Sequence, residues 1–167
     1  MIDTRVEGFT LRHAEKNDVP LILEMINELA TYEKLAEEVE ATEESLEKSL
    51  FEQKAAKVLI GEYKGKPVAF ALYFYNFSTF VGKPGLYLED VYVRKEMRGM
   101  GIGTLILSYL AKLAKEEGCE RMDWIVLDWN KPSIEFYKRI GAKPQDQWRI
   151  FRVEDEAIGK LAEQFDE

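Results

Sequence analysis

The chain has 167 residues, of which 46% are hydrophobic and 32% charged, which suits about one domain of ordinary soluble type. A chain of this length buries about 70% of its unfolded surface, so its core needs no cross-link. The single cysteine, Cys119, and the single histidine, His13, exclude an intrachain disulfide and a Cys/His zinc site. The net charge of −8 argues against nucleic-acid binding, and it is uneven: residues 24–52 hold ten acidic side chains against two lysines, while the rest is neutral. The opening residues are polar and no apolar run nears the roughly 18 residues of a membrane span. The expectation is one continuous cytoplasmic domain, 1–167, with no membrane partner and no metal. Most of the acidic excess reads as solvated helix face, and what remains suits a small cationic ligand.

In chain order, Phe9 to His13 reads as a short strand. Asp18 is placed to cap a helix with Pro20 in its first turn, and Leu21, Ile22, Met25, Ile26 and Leu29 form an apolar stripe at helical period running to about Glu33. Thr42 reads as the cap of a second, acidic helix with Leu46 and Leu50 on its apolar side. Val58–Tyr63 and Pro67–Phe77 are strand-like runs joined at Lys64-Gly65-Lys66, and Gly85–Val93 is a third strand. From Gly101 the period becomes helical through Ile102, Leu105, Ile106, Tyr109, Leu110, Leu113 and Ala114, with Gly118 as a stop signal. Met122–Leu127 reads as a buried strand. Asn130 and Pro132 open a helix that Gly141 ends, Trp148–Val153 reads as a closing strand, and a last helix starts near Glu154. This order predicts an α/β fold: a mixed sheet, antiparallel in its first half with a parallel crossover, flanked by helices.

The segment from Leu88 to Thr104 runs strand, loop, glycine-rich turn, helix. In Arg98-Gly99-Met100-Gly101-Ile102-Gly103-Thr104, alternate glycines ahead of a helix let backbone N–H groups converge, which with the helix dipole makes an anion site. It is neither a Walker loop, lacking Gly-Lys-Ser/Thr, nor a dinucleotide fingerprint, since its third glycine falls one position early.

Arg98-x-x-Gly101-x-Gly103 after an apolar strand resembles the acetyl-CoA pyrophosphate signature of the GNAT superfamily of N-acetyltransferases. Tyr87-Leu-Glu-Asp90, the glycine turn and Trp129-Asn-x-Pro-Ser-x-x-Phe-Tyr137-Lys-Arg-x-Gly141-Ala resemble, more narrowly, the spermidine/spermine (diamine) and thialysine N-acetyltransferases. The likeness runs from Leu11-Arg12 through Glu28-Leu-Ala-x-Tyr32-Glu33 to Trp148-Arg149. It implies that Val91, Tyr92 and Val93 hold the pantetheine arm of acetyl-CoA, that Arg98 through Thr104 hold its pyrophosphate, and that Asn130, Pro132 and Ser133 add contacts. It further implies an acceptor site with Tyr32, Glu33, Asp123, Trp124 and Ile125, a loosely matched Asp146, and a homodimer with a small cationic amine as substrate.

Acyl transfer to an amine requires the ammonium, pKa roughly 10, to lose a proton and the departing thiolate to gain one. Glu89, a carboxylate within an apolar strand, suits the first task because a buried acid needs a cationic partner. In a regular strand Asp90 faces the other way and supplies charge or a structural hydrogen bond. The resemblance makes Tyr137 the general acid, although Phe136-Tyr137 alone reads as core packing. The expected activity is transfer of acetyl from acetyl-CoA to a polyamine, diamine or lysine analogue. Its rivals are a peptide or protein N-acetyltransferase and a non-catalytic acyl-CoA or polyamine-binding module.

Overall fold

The computed structural model describes residues 1–165. The chain divides into two compact units, Met1–Leu127 and a second that begins at Asp128. No helix among the described residues is long and apolar enough to cross a membrane.

The first unit is built on a six-stranded sheet in sequence order: β1 (Ile2–Asp3), β2 (Phe9–His13), β3 (Lys57–Tyr63), β4 (Lys66–Ser78), β5 (Lys83–Val93) and β6 (Met122–Asp123). The first five strands pair antiparallel and β6 pairs parallel to β5, the mixed topology expected from the order of elements. The parallel step passes through α3 (Ile102–Glu116), which packs on β5 and ends ahead of Gly118 at φ +76°, a left-handed position that glycine adopts without cost.

Helix α1 (Val19–Tyr32) buries Val19, Ile22 and Met25. Ile22 and Met25 pack with Val58 and Ile60 of β3, Phe70 and Leu72 of β4, and Leu50. Leu59, Ala71 and Tyr73 alternate with these and are buried as well, so β3 and β4 are covered on both faces, which is why their sequences read as near-continuous apolar runs. Each fully buried aliphatic side chain contributes roughly 1.5–3 kcal/mol. Leu50 reaches this core from a wide π-helical turn, Glu47–Glu52, that continues the short helix α2 (Glu43–Leu46). Thr42 caps α2 as expected, its Oγ1 accepting from the Ser45 amide at 3.1 Å. Asp18 does not cap α1. Its carboxylate accepts both terminal nitrogens of Arg12, at 2.7 and 2.8 Å, and the Glu15 amide at 2.7 Å, so both oxygens are engaged by the preceding segment and neither bonds the first amides of α1.

Two strand expectations are corrected. The run Met122–Leu127 keeps ladder pairing only at Met122 and Asp123, opposite Leu86 and Tyr87. Trp148–Val153 forms no strand, and Trp148 and Phe151 are 75% and 91% exposed. Apolar alternation marks a segment able to pair, whereas a strand exists only where a neighbour supplies the hydrogen bonds. In the second unit α4 (Lys131–Arg139) and α5 (Asp155–Glu163) fall where expected.

The ladder slips twice, between Gly61 and Glu62 on β3, and between Leu72 and Tyr73 on β4, where Leu72 faces Asp90 and Tyr73 faces Leu88. The second slip leaves Glu89 as the extra residue of a β-bulge.

A Cβ at Gly61 would lie 2.7 Å from the ring of Phe9, which is itself buried. Gly61→Ala should therefore cost about 1–3 kcal/mol by overpacking, read as a lower urea midpoint at unchanged slope.

Candidate active site

Regular alternation puts Glu89 and Asp90 on opposite faces, but the bulge changes this. Asp90 sits opposite Leu72 and Tyr92 opposite Phe70, both partners belonging to the core beneath α1. Asp90 is thereby carried toward the α1 side, and Glu89, expected to be the more enclosed of the two, is the exposed one. The Asp90 carboxyl is pushed up to about 7 by burial first, then by the charges of Glu89 and Glu33. Glu33, just past the end of α1, is raised by burial and by Glu89. Tyr87 is raised by burial, then by Glu89 and Asp123, and Tyr87 and Asp123 are ladder partners. Three of the expected acceptor-site acids, Glu33, Glu89 and Asp123, thus belong to one electrostatic neighbourhood, to which the structure adds Asp90 and Tyr87. Trp124 is half-buried and Ile125 is 58% exposed, both just beyond β6.

Ladder pairing between β5 and β6 stops at Tyr87. Beyond the bulge, Val91, Tyr92 and Val93 pair with Ala71, Phe70 and Ala69 of β4 on one edge and, among the described residues, with no strand on the other. The open edge offers backbone donors and acceptors to an extended ligand.

After β5 the chain turns through Arg94 and a single 3₁₀ turn into Arg98. Gly99 and Gly101 sit at φ +83° and +78°, and α3 starts at Ile102 with no side chain capping it. Its first amides thus lack the usual cap acceptor. A Cβ built at Gly99, Gly101 or Gly103 would meet no atom within 4 Å, which leaves room for a ligand against the backbone. Met100 is 42% exposed at the tip, and Thr104 accepts the Ser108 hydroxyl at its carbonyl, 2.7 Å away.

Two arginines tie this turn to α1. Arg94 donates to Glu28 at 2.9 and 3.2 Å, to Glu24 at 2.9 Å and to the Pro67 carbonyl at 3.1 Å. Arg98 donates through Nε to the Val93 carbonyl at 3.0 Å, and its guanidinium lies 5.1 Å from the ring centre of Tyr32 and 5.8 Å from that of Tyr92. Sequence reasoning did not single out Glu24, Glu28 and Arg94. The four-residue spacing of Glu24, Glu28 and Tyr32, which puts all three on one face of α1, was the available signal.

The remaining expected residues lie in the second unit. Asn130 is 6% exposed and its Oδ1 accepts the Ser133 amide at 3.4 Å, with Pro132 in the first turn of α4. This confirms the local reading of Asn130 as a cap. Tyr137 is half-buried on α4, its ring 5.5 Å from that of Phe136, and Asp146 is exposed beyond it.

Because the folded chain holds the Asp90 proton up to about pH 7, whereas an ordinary aspartate releases it near 3.8, the folded state binds the extra proton between those values. Stability therefore falls as pH rises through that window, and the loss is complete above about 7. Asp90→Asn should be more stable than the parent at pH 8, by on the order of 1–3 kcal/mol, with the gap narrowing toward pH 5. Urea midpoints across that range measure it, and a pH-independent gap would refute the raised carboxyl.

Residues 22–142 match the Acetyltransferase (GNAT) family. The chain is 40% identical to thialysine N-epsilon-acetyltransferase of Sus scrofa over 91% of this chain and 96% of that one. It is also 35% identical to spermidine/spermine N(1)-acetyltransferase-like protein 1 of Homo sapiens, over 97% of this chain and 25% of that longer protein. Among solved structures, an integron cassette protein from the mobile metagenome of V. cholerae superposes with a TM-score of 0.76 at 28% identity, covering 93% of this chain and 98% of that one. The open β5 edge, the glycine turn into α3 and the match over most of the chain converge: this protein belongs to the GNAT acetyltransferase family and is an N-acetyltransferase.

Proposed function

We propose that the protein transfers the acetyl group of acetyl-CoA to a primary amine of a small cationic molecule, a polyamine, diamine or thialysine-like compound. The observation that carries this reading is the cluster of Glu33, Glu89 and Asp90 at the bulge, where β5 loses its second neighbour. Glu33 and Asp90 are partly buried and raised further by neighbouring carboxylate charge, so the cluster is short of positive charge, which an ammonium supplies. Names of relatives support the same class, thialysine and spermidine/spermine.

Acetyl-CoA supplies the activated thioester, and the residues present fit it. The backbone of Val91, Tyr92 and Val93 holds its pantetheine arm. Arg98 and the amides of Gly99, Met100, Gly101, Ile102, Gly103 and Thr104 hold its pyrophosphate, and Asn130, Pro132 and Ser133 add contacts. Tyr32, Glu33, Asp123, Trp124, Ile125 and Asp146 receive the amine. Glu89 accepts the ammonium proton, directly or through water, so that the nitrogen lone pair attacks the acetyl carbon. Asp90, with its carboxyl near 7, exchanges protons in neutral solution beside it, which suits the same task. The backbone N–H near Val91 donates to the acetyl oxygen as negative charge builds there. Tyr137 gives its proton to the sulfur as the carbon–sulfur bond breaks, and its phenolate is reprotonated by the second proton that the acylated nitrogen releases, leaving a neutral amide and the free thiol. A cytoplasmic location and a homodimeric state belong to the same reading, the second from the resembled enzymes.

Acetyl-CoA turnover should be measured against thialysine, lysine, putrescine, spermidine and a peptide with a free N-terminus. Thiol release with the small amines supports the proposal, and release with the peptide alone overturns it. Tyr137→Phe should lower kcat by about 10²-fold while leaving the acetyl-CoA dissociation constant within about twofold. An unchanged kcat would remove the role given to this hydroxyl.

A further inference from the structure

The two binding functions proposed above fall on different elements. Tyr32, on the acceptor side, is the last residue of α1, and Arg98, on the cofactor side, closes the turn after β5. The structure stacks these two residues. The Arg98 guanidinium carbon lies 5.1 Å from the Tyr32 ring centre, within the range of a cation–π contact, and 5.8 Å from that of Tyr92. Nε is spent on the Val93 carbonyl. One edge of the guanidinium is thus fixed by the backbone and its aromatic contacts come from two elements, α1 and β5. A guanidinium carries five N–H donors, so its terminal nitrogens keep donors for an anion after Nε is used.

We propose that Tyr32 is a positioning residue for the cofactor: its ring holds Arg98 in the orientation that receives the pyrophosphate, so that binding of acetyl-CoA and binding of the amine strengthen each other through this stack. The inference rests on the acetyl-CoA reading of the turn. An arginine on a flexible stem loses rotamer freedom when it grips a ligand, and a side chain already held in place has less to lose. α1 is anchored to the same segment one turn earlier, where Glu28 accepts two hydrogen bonds from Arg94, so the end of α1 and the turn are connected at two successive points. Linkage requires the effect to be mutual. If cofactor binding fixes Arg98 and with it the ring at the acceptor side, amine binding must tighten cofactor binding by the same factor.

The test is the dissociation constant of CoA, measured by calorimetry on the full chain, for the parent, Tyr32→Phe, Tyr32→Leu, Arg98→Ala and the double variant Tyr32→Leu/Arg98→Ala. Tyr32→Leu keeps apolar bulk but removes the ring, and should weaken CoA by about threefold or more, the lower range of a cation–π contact. Tyr32→Phe keeps the ring and should bind CoA within about twofold of the parent. In the Arg98→Ala background Tyr32→Leu should have no further effect, and in the parent, unlike Tyr32→Leu, the amine KM should fall as acetyl-CoA is raised. CoA affinity unchanged in Tyr32→Leu, or equal losses with and without Arg98, overturns the inference. Failure of the parent itself to bind CoA instead overturns the reading of the turn on which it rests.

Discussion

One extra residue in β5 governs the site. The slip between Leu72 and Tyr73 leaves Glu89 without a ladder partner and moves Asp90 opposite Leu72, whose side chain belongs to the core under α1. A bulge bends its strand and increases local twist, and here β5 keeps its β4 partner through Val93 while its pairing with β6 ends at Tyr87. Without the slip, Asp90 would lie across the sheet from the side reached by Glu33. The acid cluster and the open strand edge are therefore two consequences of one backbone feature.

The segment after the bulge changes sign along its length. Glu89 and Asp90 begin it, Val91, Tyr92 and Val93 carry no formal charge, and Arg94 and Arg98 end it. Three strand residues span about 10 Å, close to the screening length at physiological ionic strength. Acids and arginines that far apart do not collapse into ion pairs with one another. The arginines take partners elsewhere: Arg94 on Glu24 and Glu28, and Arg98 on two rings and a carbonyl. The acids at the bulge instead repel one another, which is what raises Asp90 beyond the effect of burial. Negative and positive charge thereby stand at opposite ends of one short stretch of chain.

Much of this was legible in the sequence because it depends on local rules. The glycine spacing located a turn whose Gly99 and Gly101 take positive φ, and the stripe from Ile102 to Ala114 gave α3 almost to the residue. Asn130 and Thr42 were readable as caps because a cap bonds within its own first turn. Register is not local. Adjacent acids inside an apolar strand announce an irregularity, but which of them turns inward depends on where β4 slips, and nothing in Leu88-Glu89-Asp90-Val91 states that. Asp18 misled for a different reason: its carboxylate is taken by Arg12 and the Glu15 amide, which the 3₁₀ turn Lys16–Asp18 brings back to it and which a cap reading of Asp18 and Pro20 alone leaves out. Trp148–Val153 has strand composition without a strand, since pairing depends on a neighbour that composition does not specify.

The acidic excess of residues 24–52 separates into distinct uses once each side chain has a place. Glu24 and Glu28 hold Arg94 and so fasten α1 to the end of β5. Glu47 pairs with Lys16, an exposed contact that contributes at most about 1 kcal/mol. Glu43 and Glu44 occupy the first turn of α2, where negative charge complements the helix dipole. Glu33 alone has its pKa raised by burial and by Glu89. Net charge steers a cation toward the whole surface without selecting it, whereas selection requires charge that is desolvated and left unneutralised by its own chain. By that criterion Glu33 and Asp90 are the desolvated acids of this region, with Glu89 as the charge both respond to, while Glu24, Glu28 and Glu47 are matched by cations of the chain itself.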